Sequence, residues 1–159
     1  MAHVRPSTVD DAHDLAPRLR EIDVHECRAM NDQPPLEALL QGVLEGEECY
    51  SIIGDDGEII GMFGIHHSPE YGDGQATVWM LASPSLVKIK REFIRQTGDY
   101  LHAFHQKYPL LWNMVDSEND LCIRWLRRVG FVFIKRHDNF GPYGRTFFEF
   151  VRIDPCAHP

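Results

Sequence analysis

Three sets of residues in this 159-residue chain have the types and spacing for chemistry. The first is Lys88, Lys90 and Arg91, with Arg95 beyond them, at the start of a stretch with helical apolar spacing. Cations there oppose the helix macrodipole, so either an anion holds them in place or they are solvated neighbours of the buried Ile89 and Phe93. The second set is Asp116 and Asn119. Asp116 follows an apolar run, where it could orient a substrate amine or take its proton, or simply shape a loop; Asn119 could face a ligand or cap a helix. The third set is histidine. His102 and His105 are three apart and His66-His67 adjacent, but no His-Glu-x-x-His or comparable carboxylate spacing accompanies them, so no metal site is expected. Neither a Gly-x-Ser-x-Gly elbow nor a Gly-x-x-x-x-Gly-Lys-Ser/Thr loop is present.

Composition bounds the partners. A net charge of −8 disfavours a coating role on nucleic acid, and no direct nucleic-acid partner is expected, although a local basic patch stays open. Cys27, Cys49, Cys122 and Cys156 lack Cys-x-x-Cys spacing, which suits reduced thiols. Asp10, Asp11 and Asp14 occupy the place where a signal peptide needs an apolar core, and no run approaches the ~20 apolar residues of a membrane span. The expectation is a soluble protein of a cytoplasm, away from membranes. One domain over 1–159 is expected, with 154–159 a short tail; a chain this long buries roughly 68–70% of its unfolded surface.

The elements that must position those groups follow from periodicity. His3-Val4-Arg5 reads as a short strand before a first helix, which Pro17 either kinks or restarts. Leu36, Leu39, Leu40, Val43 and Leu44 mark a second helix ended by Gly46. Cys49 to Ile53 and Glu58 to His67 read as a hairpin around Gly54-Asp-Asp-Gly57, with Gly61 and Gly64 marking a close backbone approach or a bulge. A strand over Ala76 to Ala82 follows the loop Ser68 to Gln75, and a long helix runs from Ser85 to Pro109. Leu110 to Val115 reads as a buried strand. A short helix then carries Leu121, Trp125 and Val129 on one face, with Ser117 and Asp120 as a weak capping box and Gly130 as its left-handed end. Phe131 to Lys135 and Arg145 to Ile153 form a last antiparallel pair. The pattern alone gives an α/β layer domain in the order β-α-α-β-β-β-α-β-α-β-β.

The segment Asn119-Asp-Leu-Cys-Ile-Arg-Trp-Leu-Arg-Arg-Val-Gly-Phe131 resembles the Asn-x-x-Ala-x-x-Leu-Tyr-x-x-x-Gly-Phe segment of the GCN5-related N-acetyltransferase (GNAT) superfamily. The opening Val-Arg-Pro-Ser-Thr-x-x-Asp and the element order resemble it too. The resemblance implies a single-domain GNAT-like mixed sheet, splayed near residues 80–83 and 113–116, with the main pocket in that cleft. It implies acetyl-CoA as cofactor, its pantetheine arm held by the fourth strand at Met80, Leu81 and Ala82, its phosphates by Lys88, Lys90 and Arg91, with Asn119 on the ligand side and Asp116 toward the amine. Two departures stand out. Leu126 occupies the usual place of the general-acid tyrosine, for which Tyr143 or Tyr71 could substitute, and Ala82 to Arg91 has no glycine where a glycine turn binds pyrophosphate. A positioned general acid contributes typically ~10²–10⁴-fold, so the resemblance implies a weak enzyme at most.

Leu111-Trp-Asn-Met-Val115, with Ile123-Arg-Trp-Leu-Arg-Arg-Val-Gly-Phe-Val-Phe133, is similar to a narrower group, the GNAT-like internal virion protein A family of short-tailed phages. That resemblance implies a phage-encoded protein of the host cytoplasm and leaves two functions. One is an acyl-CoA-dependent N-acetyltransferase acting on an amine or a protein. The other is a non-catalytic virion or morphogenesis component docked to portal, tail or internal-core proteins.

Overall fold

A computed structural model describes residues 2–67 and 69–154. Cys156 and most of the expected tail lie outside the described residues. The elements are β1 (His3–Pro6), α1 (Val9–Leu15), α2 (Glu21–Asn31), α3 (Pro35–Glu45), β2 (Glu48–Ile53), β3 (Ile59–His66), β4 (Gln75–Ala82), α4 (Lys90–His105), β5 (Leu110–Asp116), α5 (Asp120–Arg128), β6 (Val132–Phe140) and β7 (Arg145–Ile153). Seven strands form one sheet in the order β1-β2-β3-β4-β5-β7-β6. Only β4 and β5 run parallel.

Alternation along β2 and β3, inverted once by the register shift at Ile60, divides the core into two layers. Ile53, Ile59 and Met62 pack under Ala12, Leu15 and Leu39 of α1 and α3. Ile52, Ile60, Phe63 and Ile65 face the other way, against Leu101 and Phe104 of α4 and Ile123 and Leu126 of α5. Helices therefore cover both faces.

Local chemistry fixes most of the boundaries. Thr8 caps α1 in a reciprocal box with Asp11, whose carboxylate also takes two bonds from Arg5 and one from Ser51. Gly57 at φ +82° closes the β2–β3 turn, and Gly64 is a close approach: a Cβ there would sit 2.0 Å from the Glu48 carbonyl oxygen. The register shift lies between the pairs Ile52↔Gly61 and Ile53↔Ile59, beside Gly61, where the sequence placed a close approach or a bulge.

Three details differ from the sequence expectation. Of the two outcomes open at Pro17 the chain takes the restart, but later than Pro17: the first helix ends at Leu15, a 3₁₀ turn runs through Pro17 and α2 begins at Glu21, so three helices precede β2 where two were expected. The residues from Pro84 to Ile89 form a 3₁₀ turn, and the α-helix proper starts at Lys90. Asn119, not Ser117, caps α5, and the buried positions of that helix are Ile123 and Leu126, while Leu121 is exposed.

Candidate functional site

β4 and β5 pair only at Gln75↔Leu110, Ala76↔Leu111 and Thr77↔Trp112. β5 stays paired with β7 as far as Asp116↔Phe147, so beyond Thr77 the sheet opens between β4 and β5. The Asn113 amide donates to the Val78 carbonyl at 2.6 Å as the last bridge before the opening. A cavity of about 410 Å³ fills it, reached by Glu26, Met30 and Gln41 from one side and by Phe93, Trp125 and Leu126 from the other. The expected splay and cleft are present at the expected residues.

The open edge of β4 is not free along its length. Ala82 donates its N–H to Asp23 Oδ2 at 3.0 Å and accepts from the Arg20 N–H at 2.8 Å, so α2 and the residue before it occupy both of its backbone groups. The Arg20 guanidinium grips the same carboxylate, Nε to Oδ2 and Nη2 to Oδ1 at 2.9 Å each. Burial still pushes the Asp23 carboxyl upward, against the bonds from Arg20 and Ala82. Backbone groups alternate sides along a strand, and Val78 and Ala82 both face the opening. Met80 between them therefore faces it too, and Leu81 turns its N–H and C=O to β3. Of the three β4 residues expected to hold a pantetheine arm, only Met80 presents unoccupied backbone to the cavity.

The basic turn has no inward cradle. Pro84 lacks an N–H, Ser83 donates to Ile60, Ser85 to the Ser83 hydroxyl and Leu86 to the Ser83 carbonyl. Lys88, Lys90 and Arg91 are exposed and make no ion pair with a described residue. A second cavity of about 120 Å³, sharing Arg20, Met80, Phe93, Cys122 and Trp125 with the first, is lined by Lys90; Lys88 and Arg91 reach neither.

Asp116 is fully buried and lines neither cavity. Arg145 pairs with it, Nε to Oδ2 at 2.6 Å and Nη2 to Oδ1 at 3.1 Å, and the Glu118 N–H adds a bond at 2.9 Å. Burial alone would raise its carboxyl, but Arg145 and Glu118 outweigh that and hold it below the usual carboxylate range. It joins the end of β5 to the start of β7 and faces Arg145 where an amine was expected. Asn119 is likewise committed within the protein: its oxygen accepts from the Cys122 N–H at 3.3 Å and its nitrogen donates to Glu26 at 3.2 Å.

Glu26 is the site residue that sequence reasoning missed. Its Oε1 takes both the Asn119 amide and the Asp116 N–H, the latter at 2.8 Å, and its other oxygen has no partner among the described residues. Burial, with the carboxylates of Asp23 and Asp116 adding to it, pushes its carboxyl up to about 7. No local signal marks it, since those two partners lie 90 and 93 positions away. Leu126 is buried and offers the cavity only hydrocarbon. Neither substitute phenol reaches it: Tyr143 donates to Asp32 at 2.9 Å and Tyr71 packs edge-on against Trp112. Among the described residues no group of three or more His, Cys, Asp or Glu side chains could hold a metal ion, and no helix is long and apolar enough to cross a membrane.

A splayed seven-stranded mixed sheet with helices on both faces is the fold of the GNAT acetyltransferases. The chain superposes on a GNAT-family acetyltransferase from Bacillus anthracis with a TM-score of 0.72 at 11% identity, covering 96% of this chain and 94% of that one. It matches the ribosomal-protein-S18-alanine N-acetyltransferase of Escherichia coli with a TM-score of 0.69 at 13% identity over 99% and 97% of the two chains. A GCN5-related N-acetyltransferase from Kribbella flavida gives 0.70 at 13% identity over 96% and 98%. In sequence, residues 67–138 match a different kind of family, described as the probable scaffold protein Gp13 of bacteriophage T7. No curated protein matches the chain.

Proposed function

We propose that this chain is a phage-encoded GNAT-fold protein that serves virion assembly as a docking module, its acyl-CoA edge closed from within. The observation that carries this reading is the occupation of both Ala82 backbone groups by Arg20 and Asp23. A pantetheine arm laid along β4 needs those groups, and freeing them takes a backbone N–H from the buried Asp23 carboxylate, a hydrogen bond to a charged group typically worth about 1.5–3 kcal/mol. The residues present therefore do not fit the cofactor along this edge. The glycine-free turn, whose Ser83, Ser85 and Leu86 amides are bonded within the protein, and the hydrocarbon of Leu126 point the same way, and the family match over 67–138 fits the phage context. Portal, tail or internal-core proteins are the partners this role calls for, met in the host cytoplasm and in the assembled particle. A thioester-cleavage assay over a panel of amines is expected to stay at background while the chain co-purifies with one of those proteins. Turnover without co-purification would overturn the proposal.

A second reading, a weak acyl-CoA-dependent N-acetyltransferase, is favoured by two groups that the closure leaves untouched. Met80 keeps an unoccupied N–H at the opening, and Glu26 offers the cavity a carboxyl poised near neutrality to take an amine proton. This reading requires Arg20 and Asp23 to withdraw from Ala82. Asp23→Ala is the variant that separates the two: gain of acetyl-CoA binding and amine-dependent turnover supports a masked enzyme.

A further inference from the structure

Charge is distributed very unevenly over the fold. Residues 1–73 hold 16 of the 24 carboxylates but only four of the 16 Lys and Arg side chains. All four of those arginines are ion-paired locally, Arg5 with Asp11, Arg18 with Asp14, Arg20 with Asp23 and Arg28 with Asp32. The α4/α5 layer is the opposite case. Lys88, Lys90, Arg91 and Arg95 at the start of α4, and Arg124, Arg127 and Arg128 on α5, are exposed and make no ion pair with a described residue. Phe93 stacked on Trp125, with ring centroids 5.5 Å apart, brings the two clusters side by side.

The α1/α3 layer covers the other face of the sheet. It exposes Asp10, Asp14, Glu37 and Glu45, and no unpaired cation stands among them. Each layer also exposes large apolar side chains: Val9 at 40% and Leu44 at 69% on the acidic side, Val87 at 66% and Leu121 at 41% on the basic side. An apolar centre with a charged rim of opposite sign on the two faces is the composition of an interface whose halves lie on one molecule.

We propose that copies of this chain associate head to tail, the basic α4/α5 layer of one seated on the acidic α1/α3 layer of the next. Such a contact is heterologous, so it repeats into a ring if the rotation closes and into a filament if it does not. Nucleic acid is the other polyanion that could seek the basic layer. The net charge of −8 and the carboxylates Glu92, Asp99, Glu118 and Asp120 interspersed on that layer favour a protein partner. The inference goes beyond the docking role and stands on the charge and apolar pattern alone, so it survives either outcome of the acetyl-CoA experiments.

Sedimentation velocity across ionic strength tests it with three proteins. The full chain should show concentration-dependent association at low salt that weakens about tenfold or more as salt shortens the reach of the charges. Arg124→Glu with Arg127→Glu and Arg128→Glu makes both layers acidic, and Asp10→Lys with Glu37→Lys and Glu45→Lys makes both basic. Each triple variant alone should be monomeric, and an equimolar mixture should associate again. Circular dichroism confirms that each is folded; should a reversal unfold the chain, the corresponding Gln triple replaces it and should weaken self-association. A monomeric parent at every salt and concentration, variants that associate like the parent, a mixture that stays monomeric, or a parent that binds duplex DNA without self-association would each overturn the proposal.

Discussion

Glu26 gives the site its clearest signature at the scale of single residues. Its carboxyl stands near 7 in the fold against an ordinary value of 4.5, so below about pH 4.5 both folded and unfolded chains hold the proton and its contribution to stability is fully present. As pH rises from there to about 7, the unfolded chain releases a proton that the folded chain keeps, and stability falls. Glu26→Gln keeps an oxygen for Asp116 and Asn119 without a charge to bury. It should flatten that fall and stabilise the protein above pH 7 by about 1–3 kcal/mol, read from denaturant unfolding at pH 5 and pH 8. Asp11 has the opposite sign. Burial works against its charge, but the bonds from Arg5, Thr8 and Ser51 win and hold it at about 2, so its contribution is present above pH 4 and is lost as pH falls toward 2. Arg145→Ala leaves Asp116 charged, buried and held by one backbone bond, and should cost about 3 kcal/mol in the same unfolding measurement at pH 7. Leu126→Tyr should leave thioester cleavage at background and cost about 1–3 kcal/mol, because its hydroxyl enters a buried position without a partner.

At the scale of elements, the clearest signals were those carried by apolar periodicity. Leu39 with its neighbours marked α3, Leu101 and Phe104 marked α4, and the runs from Cys49, Glu58, Ala76 and Leu110 marked four of the strands. α2 left no such trace, because Glu21, Asp23, His25, Glu26 and Arg28 crowd its sequence. Two of those residues are acids directed inward, Asp23 to Ala82 and Glu26 to Asp116, and their partners are distant in sequence. The closure of the β4 edge was therefore illegible, and so was Glu26. α5 was read on its i, i+4 series Leu121, Trp125 and Val129, whereas the sheet selects Ile123 and Leu126, leaving Leu121 beside the smaller cavity. The exposed cations of the turn before α4 contribute little to the fold. Replacing Lys88, Lys90 and Arg91 together by Gln should change unfolding free energy by within about 0.5 kcal/mol.

At the scale of the whole molecule, a mixed sheet splayed near 80–83 and 113–116 followed from the resemblance of the Asn119–Phe131 segment and the element order, and the structure has it. That resemblance could place a cleft but not say what occupies its walls, because the closing groups, Arg20 and Asp23, belong to the helix the sequence hid. As proposed above, the chain keeps the acetyltransferase fold while Arg20 and Asp23 close the β4 edge. Isothermal titration calorimetry of the full chain with acetyl-CoA tests this, and no saturable heat is expected at any ionic strength. Stoichiometric, saturable binding of acetyl-CoA to the unmodified protein would contradict it.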